Sequence, residues 1–235
     1  MADPKEGEAA RLDQAYRRRR VQEDGAPSRL TSPGDLFILQ ERERVTAALL
    51  REAYPAGLAG LDILDFGCGS GWDVLELLAL GASAERIVGV DLLAPRLRRA
   101  RRMLPAATLS RANGAALPFL NSSFDVVLQF TVFSSILDEA LRERVAAELG
   151  RVLRPEGTLL WYDLRVDNPR NADVRRVTRK DLRRLFPGWR FSIRSVTLAP
   201  PLARRLAPFS WLGAEAASRL SFLRTHLLAR IAKPA

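Results

Sequence analysis

Three closely spaced glycines and two carboxylates form the part of the sequence best suited to chemistry. Asp65 lies near the end of a short apolar run, and Gly67, Gly69 and Gly71 follow it at alternate positions. Glycines without a Cβ let the backbone approach a ligand closely, at the point where a helix begins. Asp91 ends the next apolar run, at about the twenty-residue spacing expected for a carboxylate that binds a ribose. The pattern therefore predicts a site for a ligand that carries a ribose.

The residue after the third glycine indicates which ligand this loop does not bind. Dinucleotide-binding loops place a glycine three residues after their second one, where this chain has Trp72. A bulky indole at that position argues against NAD and FAD. The glycines could also form a purely structural turn, and Asp91 could be a helix cap at a strand end. The combination of the two features favours ligand binding.

Taken together, these residues resemble the class I S-adenosylmethionine-dependent methyltransferases, over about residues 61–162. The resemblance implies S-adenosylmethionine as the cofactor. We expect no metal ion. It places Asp91 on the ribose and Leu92 on the adenine. It implies that the methionine moiety is held by a set of loop residues, namely Asp65, Gly67, Cys68, Gly69 and Gly71.

Two further segments carry the same resemblance. Asn113 and Gly114, ahead of a strand at 124–130, look like the adenine-binding turn of that family, which usually has Asp in place of Asn113. An amide oxygen still accepts a hydrogen bond from the exocyclic amine of adenine. Gln129 and Phe130 end that strand, where the resemblance implies contact with the sulfonium and the substrate. The alternative for Phe130 is core packing.

The acceptor site is expected beside the fourth and fifth strands, because ligands of doubly wound sheets bind at the carboxyl ends of parallel strands. The segment 161–171 is rich in hydrogen-bonding groups that suit a polyhydroxylated substrate, and a solvated turn is the alternative. Its candidate substrate-binding residues are Tyr162, Arg165, Asn168, Arg170 and Asn171. His226 and Asp163 are the candidate general bases, and a structural role is the alternative for His226.

The acceptor itself is open to several interpretations. The segment 161–171 and the insert near residues 200–226 look like bacterial methyltransferases that act on cell-surface polysaccharides or glycosylated natural products, which implies O-methylation of a sugar hydroxyl. The cluster Arg17–Arg20 and an arginine-rich helix suggest an RNA methyltransferase instead. We expect no nucleic-acid partner, because no interleaved aromatic residues provide stacking surfaces. A non-catalytic subunit that only binds the cofactor is the third alternative.

Composition limits the remaining possibilities. The chain has 235 residues, of which 47% are hydrophobic, so we expect one domain, with 1–60 as an extension of a methyltransferase domain at 61–235. No apolar run is long enough to span a membrane, and the first residues lack a secretory signal, so we expect a cytoplasmic protein. The single cysteine excludes an internal disulfide. The net charge of +10 is mostly arginine, which favours a solvated basic surface over an anionic partner.

Alternating apolar runs and amphipathic stretches predict an α/β fold, a Rossmann-like doubly wound sheet of seven strands with an antiparallel last strand. Predicted strands cover 61–66, 86–91, 107–111, 124–130, 157–163, 189–198 and 225–232. Predicted helices cover about 33–53, 71–80, 94–104, 138–153 and 178–186. The segment 200–225 is too long for a hairpin loop. We expect it to form a lid, a homodimer surface or a peripheral membrane contact.

Overall fold

The fold is described from a computed structural model of the chain. The structure describes residues 7, 11, 12, 14–16 and 31–235. The arginine cluster Arg17–Arg20, named above as a feature that could bind RNA, lies outside the described residues. All statements below on contacts and missing partners refer to the described part of the chain.

Seven strands form one sheet in the order β3-β2-β1-β4-β5-β7-β6. The first five are parallel, and β7 runs antiparallel to both β5 and β6. The strands are β1 (Ile63–Phe66), β2 (Ile87–Asp91), β3 (Thr108–Arg111), β4 (Phe124–Phe130), β5 (Leu153–Leu164), β6 (Arg190–Leu198) and β7 (Arg224–Ala232). The predicted sheet with its antiparallel last strand is confirmed.

Seven α-helices cover the sheet within residues 31–235. They are α1 (Pro33–Ala53), α2 (Trp72–Ala79), α3 (Ala94–Met103), α4 (Glu139–Val152), α5 (Arg179–Leu185), α6 (Pro200–Leu206) and α7 (Trp211–Ser218). Local capping explains where several of them begin. Asp138 accepts the N–H of Leu141 ahead of α4, and Thr178 forms a capping box with Asp181 at the start of α5.

Each face of the sheet has its own core. One core packs α1, α2 and α3 against residues such as Ile63, Leu128 and Leu160, and we call this the α1 face. The other packs α4 and α5 against Trp161 and Leu227, and we call this the α4 face. Because side chains alternate along a strand, neighbouring residues of β5 or β7 point to opposite faces. This alternation decides below which candidate residues can meet.

The fifth strand begins four residues earlier than the sequence pattern predicts. Leu153 already pairs with Phe124 of β4, and the register shifts between Phe124 and Val126. Glu156 adopts a positive φ of 61° where the chain bends. The sequence pattern predicts a strand start at Gly157, after Pro155, because proline and glycine usually end a regular element. Here the strand continues through them with an irregularity.

The segment between β6 and β7 folds into α6, α7 and a 3-10 turn at Ser221–Leu223. We call residues 200–223 the insert. It packs on the N-terminal end of α1, where Phe37 meets Trp211 edge to face at 5.1 Å between ring centroids. Both β6 and β7 meet the insert at the carboxyl edge of the parallel strands. The insert therefore lies at the edge where the predicted ligands bind.

No described helix combines the length and the apolar character that crossing a membrane requires.

Gly34 makes the contact between α1 and the insert possible. A Cβ at this position would lie 2.4 Å from the Cα of Arg204, which is backbone and cannot rotate away. We predict that Gly34→Ala lowers the free energy of unfolding by about 1–3 kcal/mol, because overpacking forces backbone shifts. Urea unfolding followed by circular dichroism measures this change.

Gly60→Ala is the matched control for this prediction. A Cβ at Gly60 meets no atom within 4 Å. We expect its free energy of unfolding to stay within about 0.5 kcal/mol of the natural chain. Equal stabilities of the two variants would contradict the packing argument.

Candidate active site

The glycine loop connects β1 to α2 and is held in a conformation that only glycine adopts easily. Gly67, Gly69 and Gly71 have φ values of 80°, 55° and 90°. A Cβ on Gly67 would lie 2.3 Å from Cγ2 of Val132. Cys68 contributes its backbone N–H, which donates to the carbonyl of Val90 at 2.9 Å. Burial raises the pKa of the Cys68 thiol, so this side chain is an unreactive part of the core.

Asp91 fixes the glycine loop to the end of β2. Its Oδ2 accepts the N–H of Gly69 at 2.9 Å, and its Oδ1 accepts the N–H of Leu93 at 2.8 Å. The carboxylate is buried at the carboxyl edge of the sheet. Each carboxylate oxygen accepts more than one hydrogen bond, so Asp91 retains capacity for ribose hydroxyls. Asp91 thus lies beside the glycines, and its binding of a ribose stays a prediction.

Arg96 covers the glycine loop, and sequence reasoning did not assign it to the site. Its Nη1 lies 3.6 Å from Oδ2 of Asp91, and its guanidinium stacks on the ring of Tyr16 at 4.8 Å. A Cβ on Gly69 would come within 2.5 Å of Nη2 of Arg96. The only sequence signal was its place in the first turn of α3, where other arginines surround it.

A cluster of buried charges lies on the α1 face beside the glycine loop. Arg42 of α1 bridges to Asp73 and to Glu76 of α2, both at 2.9 Å. Asp65, at 1% exposure, is close enough for its charge to interact with all three. Oδ2 of Asp65 and Oε1 of Glu76 have no hydrogen-bond partner among the described residues. Three carboxylates thus share one guanidinium.

The protonation of this cluster shows that it lacks positive charge. Burial raises the pKa of Asp65 well above its usual range, and the neighbouring Asp73 raises it further. Burial also raises the pKa of Glu76 to about 7. An added cationic group would stabilise the ionised carboxylates. The amino group of S-adenosylmethionine is such a group, so the residues present fit the predicted cofactor at Asp65.

The predicted adenine-binding turn is present after β3. Oδ1 of Asn113 accepts the N–H of Ala115 at 3.0 Å, so the amide stabilises its own turn as an Asp would. Gly114 is needed here, because a Cβ would lie 2.5 Å from Cζ of Phe66. Leu92 is half-buried at the end of β2. Adenine binding by these residues stays a prediction.

Gln129 and Phe130 end β4 but point to opposite faces. Gln129 is fully buried, and its Oε1 accepts the N–H groups of Val132 at 2.7 Å and Phe133 at 3.2 Å. This differs from the expectation that Gln129 faces the sulfonium, because its amide instead caps the turn after β4. Phe130 packs in the core of the α1 face, with the guanidinium of Arg42 5.0 Å from its ring centroid.

Tyr162 and Asp163 are neighbours on β5 and also point to opposite faces. The Tyr162 hydroxyl is 2.8 Å from Oγ1 of Thr197, and burial raises the pKa of Tyr162 to about 12. Asp163 is fully buried on the α4 face, where it accepts the N–H groups of Ser134 at 3.0 Å and Leu164 at 2.9 Å. Burial raises the pKa of Asp163 to about 6. Asp163 therefore anchors the turn after β4.

His226 lies at the start of β7 on the α1 face. Its ring stacks on Tyr162, with 4.7 Å between centroids and 3° between planes. Nδ1 is 3.0 Å from Oγ1 of Thr225, and that hydroxyl donates to the carbonyl of Thr197 at 3.3 Å. We assign the Thr225 hydroxyl proton to the Thr197 carbonyl and the ring proton to Nδ1, an assignment that leaves Nε2 without a proton. Burial lowers the pKa of His226 to about 3, so the ring is neutral at physiological pH.

The structure does not gather the segment after β5 around the glycine loop. Asn168 accepts the N–H of Arg170 at 3.0 Å, and Asn171 accepts the N–H of Asp173 at 3.1 Å. These amides stabilise local turns, and Arg170 is exposed. On the α4 face, Arg165 extends toward β6 and donates to Oγ of Ser195 at 3.1 Å. Of the five candidate substrate-binding residues, Tyr162 is the one that lies beside His226, and its contact with a substrate stays a prediction.

Arg165 lines a pocket of about 520 Å³ away from the glycine loop. We call it the basic pocket, because three of its seven lining residues are cationic. The seven lining residues are Arg165, Thr178, Arg179, Lys180, Ser195, Ser221 and Leu227. Ser195 and Leu227 place the pocket on the α4 face, opposite His226. It is therefore separate from the site formed by Asp65, Asp91 and His226.

Sequence comparison identifies the segment that carries the glycine loop. Residues 63–157 match the family described as a methyltransferase domain. A protein of Mycolicibacterium smegmatis described as a probable S-adenosylmethionine-dependent methyltransferase is 35% identical over 102 residues, 43% of this chain and 37% of that protein. A phthiotriol/phenolphthiotriol dimycocerosates methyltransferase of Mycobacterium leprae is 34% identical over 120 residues, 50% of this chain and 43% of that protein. The chain thus spans about two fifths of the length of these relatives.

Comparison with solved structures supports the fold. An S-adenosylmethionine-dependent methyltransferase from Mesorhizobium loti superposes with a TM-score of 0.59 at 19% sequence identity. The match covers 79% of this chain and 96% of that one. At this identity the similarity shows that the two chains share a fold.

Asp65 provides the sharpest test of the cofactor site. We predict that Asp65→Asn weakens the binding of S-adenosylhomocysteine roughly ten- to a hundredfold, the range for loss of a charge-assisted hydrogen bond in a buried site. S-adenosylhomocysteine keeps the amino group that Asp65 is expected to hold. Isothermal titration calorimetry measures the affinity.

One control variant and one pH dependence accompany this measurement. Glu52→Gln removes an exposed carboxylate of α1, 3.7 Å from Arg194, and should leave the affinity unchanged. The affinity of the natural chain should fall as the pH is lowered through about 7, because Glu76 and Asp65 must lose their protons to receive a cation. Equal affinities for Asp65→Asn and Glu52→Gln would show that Asp65 does not hold the ligand.

Proposed function

We propose that this chain is an S-adenosylmethionine-dependent methyltransferase that methylates a hydroxyl group of a sugar or glycosylated small molecule. The match of residues 63–157 to a family described as a methyltransferase domain supports the first part of this proposal. The observation that carries the methyl-donor part is the buried carboxylate cluster beside the glycine loop. It leaves Oδ2 of Asp65 without a partner, at the point where a cationic amino group is expected. The acceptor part rests on His226 and its surroundings.

The geometry of His226 supports a hydroxyl acceptor. A hydroxyl must lose its proton when it accepts a methyl group, whereas a thiolate or a neutral amine nucleophile need not lose one first. His226 is held as a neutral imidazole whose Nε2 makes no hydrogen bond within the described residues. Stacking on Tyr162 fixes the plane of the ring. His226 is thus oriented to take a proton from a bound hydroxyl.

The strand register relates His226 to the end of β4. His226 pairs with Leu164 on β5, and β5 in turn pairs with β4, where Phe130 ends the strand. Two strand spacings of about 4.8 Å each, with β5 between them, separate β7 from β4. In our proposal the acceptor binds over these strand ends, between the cofactor side and His226.

When bound, S-adenosylmethionine supplies a methyl group activated by the sulfonium, which a hydroxyl oxygen receives by in-line displacement. Asp65, the glycine loop and Asp91 hold the donor in our proposal. Tyr162 orients His226, and Nε2 of His226 receives the hydroxyl proton. Asp163 acts only through the turn that it anchors after β4, because it is fully buried on the α4 face, opposite His226.

The proposal is tested by transfer of radiolabelled methyl from S-adenosylmethionine to defined acceptors. We expect labelled product with free or glycosylated sugars and none with transcribed RNA. Transfer to RNA alone would replace the acceptor proposal by the RNA alternative. Cofactor binding without turnover on any acceptor of either class would favour a non-catalytic subunit.

The same assay distinguishes the two candidate bases, His226 and Asp163, through one variant of each. We predict that His226→Ala lowers kcat by roughly 10²–10⁴-fold, the usual contribution of a general base, while affinity for S-adenosylhomocysteine is kept. Asp163→Asn should instead lower the free energy of unfolding by about 1–3 kcal/mol, because one amide N–H would face a backbone donor. Its kcat per folded molecule should change little.

The outcome that contradicts this assignment is a small effect at His226. A fall in kcat of less than about threefold for His226→Ala would exclude it as the base. A large fall in kcat for Asp163→Asn with unchanged stability would move the role to Asp163.

A further inference from the structure

The insert exposes several large apolar side chains. Its fully buried residues are small, namely Ala203, Ala207, Ala214 and Ser218, while Leu202, Leu206 and Leu223 are partly buried. Three large apolar side chains face solvent: Phe209 is 88% exposed, Leu212 80% and Phe222 75%. A folded segment normally buries its largest apolar groups first, since burial of each contributes about 1.5–3 kcal/mol. No described residue covers these three side chains, so their exposure needs an explanation.

The exposed apolar groups are concentrated along one element. Leu212 and Ala216 lie one turn apart on the outer side of α7, because the buried residues Ala214 and Ser218 occupy the inner side. Leu220 continues this row by another four residues, and its N–H still donates to the carbonyl of Ala217. Phe209 before the helix and Phe222 after it are also exposed. Contiguous exposed apolar surface of this kind marks an interaction site.

The charges around this row indicate the kind of partner. Arg205 and Arg219 are exposed and make no ion pair within the described residues, whereas Glu215 is paired with Arg44 at 3.2 Å. Ser221, next to Phe222, also lines the basic pocket. Arg179 and Lys180 of that pocket are exposed and have no ion-pair partner in the described structure. The apolar row is thus flanked by unpaired cations.

We propose that the insert docks on the surface of an anionic phospholipid bilayer, with the exposed apolar side chains in the interface and lipid phosphates at the flanking cations. Large apolar groups with adjacent basic residues are the combination that binds such interfaces. A second copy of the chain fits less well, because a two-fold contact would bring Arg205, Arg219 and the basic pocket toward their own copies. The unpaired cations beside the apolar row therefore favour an anionic bilayer over a second copy of the chain.

Docking in this way has a consequence for the site. The insert leaves the sheet at the carboxyl edge, where β6 ends and β7 begins, and His226 is only two residues from the start of β7. Docking would orient this edge toward the bilayer. If the proposed methyl transfer holds, the acceptor would be one presented at a membrane surface, and this extension alone depends on the proposed function.

Vesicle sedimentation tests the docking without any activity measurement. We expect the natural chain to sediment with vesicles of phosphatidylcholine and phosphatidylglycerol, and to bind pure phosphatidylcholine vesicles much more weakly. The triple variant Phe209→Ser, Leu212→Ser, Phe222→Ser should bind the anionic vesicles at least roughly tenfold more weakly. Leu120→Ser, which removes a leucine that is 83% exposed outside the insert, should bind as the natural chain does.

Charge-reversal variants separate docking from the general basicity of the chain. Arg179→Glu with Lys180→Glu should weaken binding to anionic vesicles, and high salt should weaken the binding of the natural chain. Arg98→Glu with Arg99→Glu, an equal change on the exposed side of α3, should have a much smaller effect. Equal losses in the two double variants would show that only net charge matters and would overturn the proposal.

Three other outcomes would also overturn it. Equal binding of neutral and anionic vesicles would remove the role of the cations, and unchanged binding by the triple variant would remove the role of the apolar row. Light scattering settles the third case. A dimer of the natural chain that becomes a monomer in the triple variant, without vesicle binding by either, would assign the row to self-association. The circular dichroism of each variant confirms that it has folded.

Discussion

One buried guanidinium, that of Arg42, connects the parts of the site on the α1 face. It bridges to Asp73 and Glu76 and lies 5.0 Å from the Phe130 ring and 5.8 Å from the Tyr162 ring. Its charge also adds to the burial that keeps His226 neutral. A single cation cannot neutralise three buried carboxylates, so the cluster retains a preference for one more positive group. The same residue thus makes the donor side attractive to a cation and helps to keep His226 uncharged.

The sequence predicted those parts of the structure that local patterns determine. The strands follow from apolar runs, the glycine loop from its spacing, and the starts of α4 and α5 from Asp138 and Thr178. Arg42 and Arg96 could not be found in this way. Each is one of 37 basic residues, mostly arginine, and only tertiary packing distinguishes a buried guanidinium from a solvated one.

The alternation of side chains in a strand carried information that the sequence interpretation did not use. Tyr162 and Asp163 are adjacent, so they had to point to opposite faces of β5, and only one of them could lie near His226. The structure shows that Tyr162 does. The amides of Asn168 and Asn171 illustrate a different difficulty. Such side chains stabilise turns as readily as they bind ligands, and the turn geometry is not visible in composition.

The first helix explains why the insert and the site can depend on each other. At one end of α1, Gly34 allows backbone contact with α6 and Phe37 packs on Trp211 of α7. Less than three turns along the same helix, Glu41 accepts the N–H of Leu198 at the end of β6, and Arg42 enters the carboxylate cluster. The insert and the carboxylate cluster are therefore connected through one continuous helix, in addition to the strands β6 and β7 from which the insert extends.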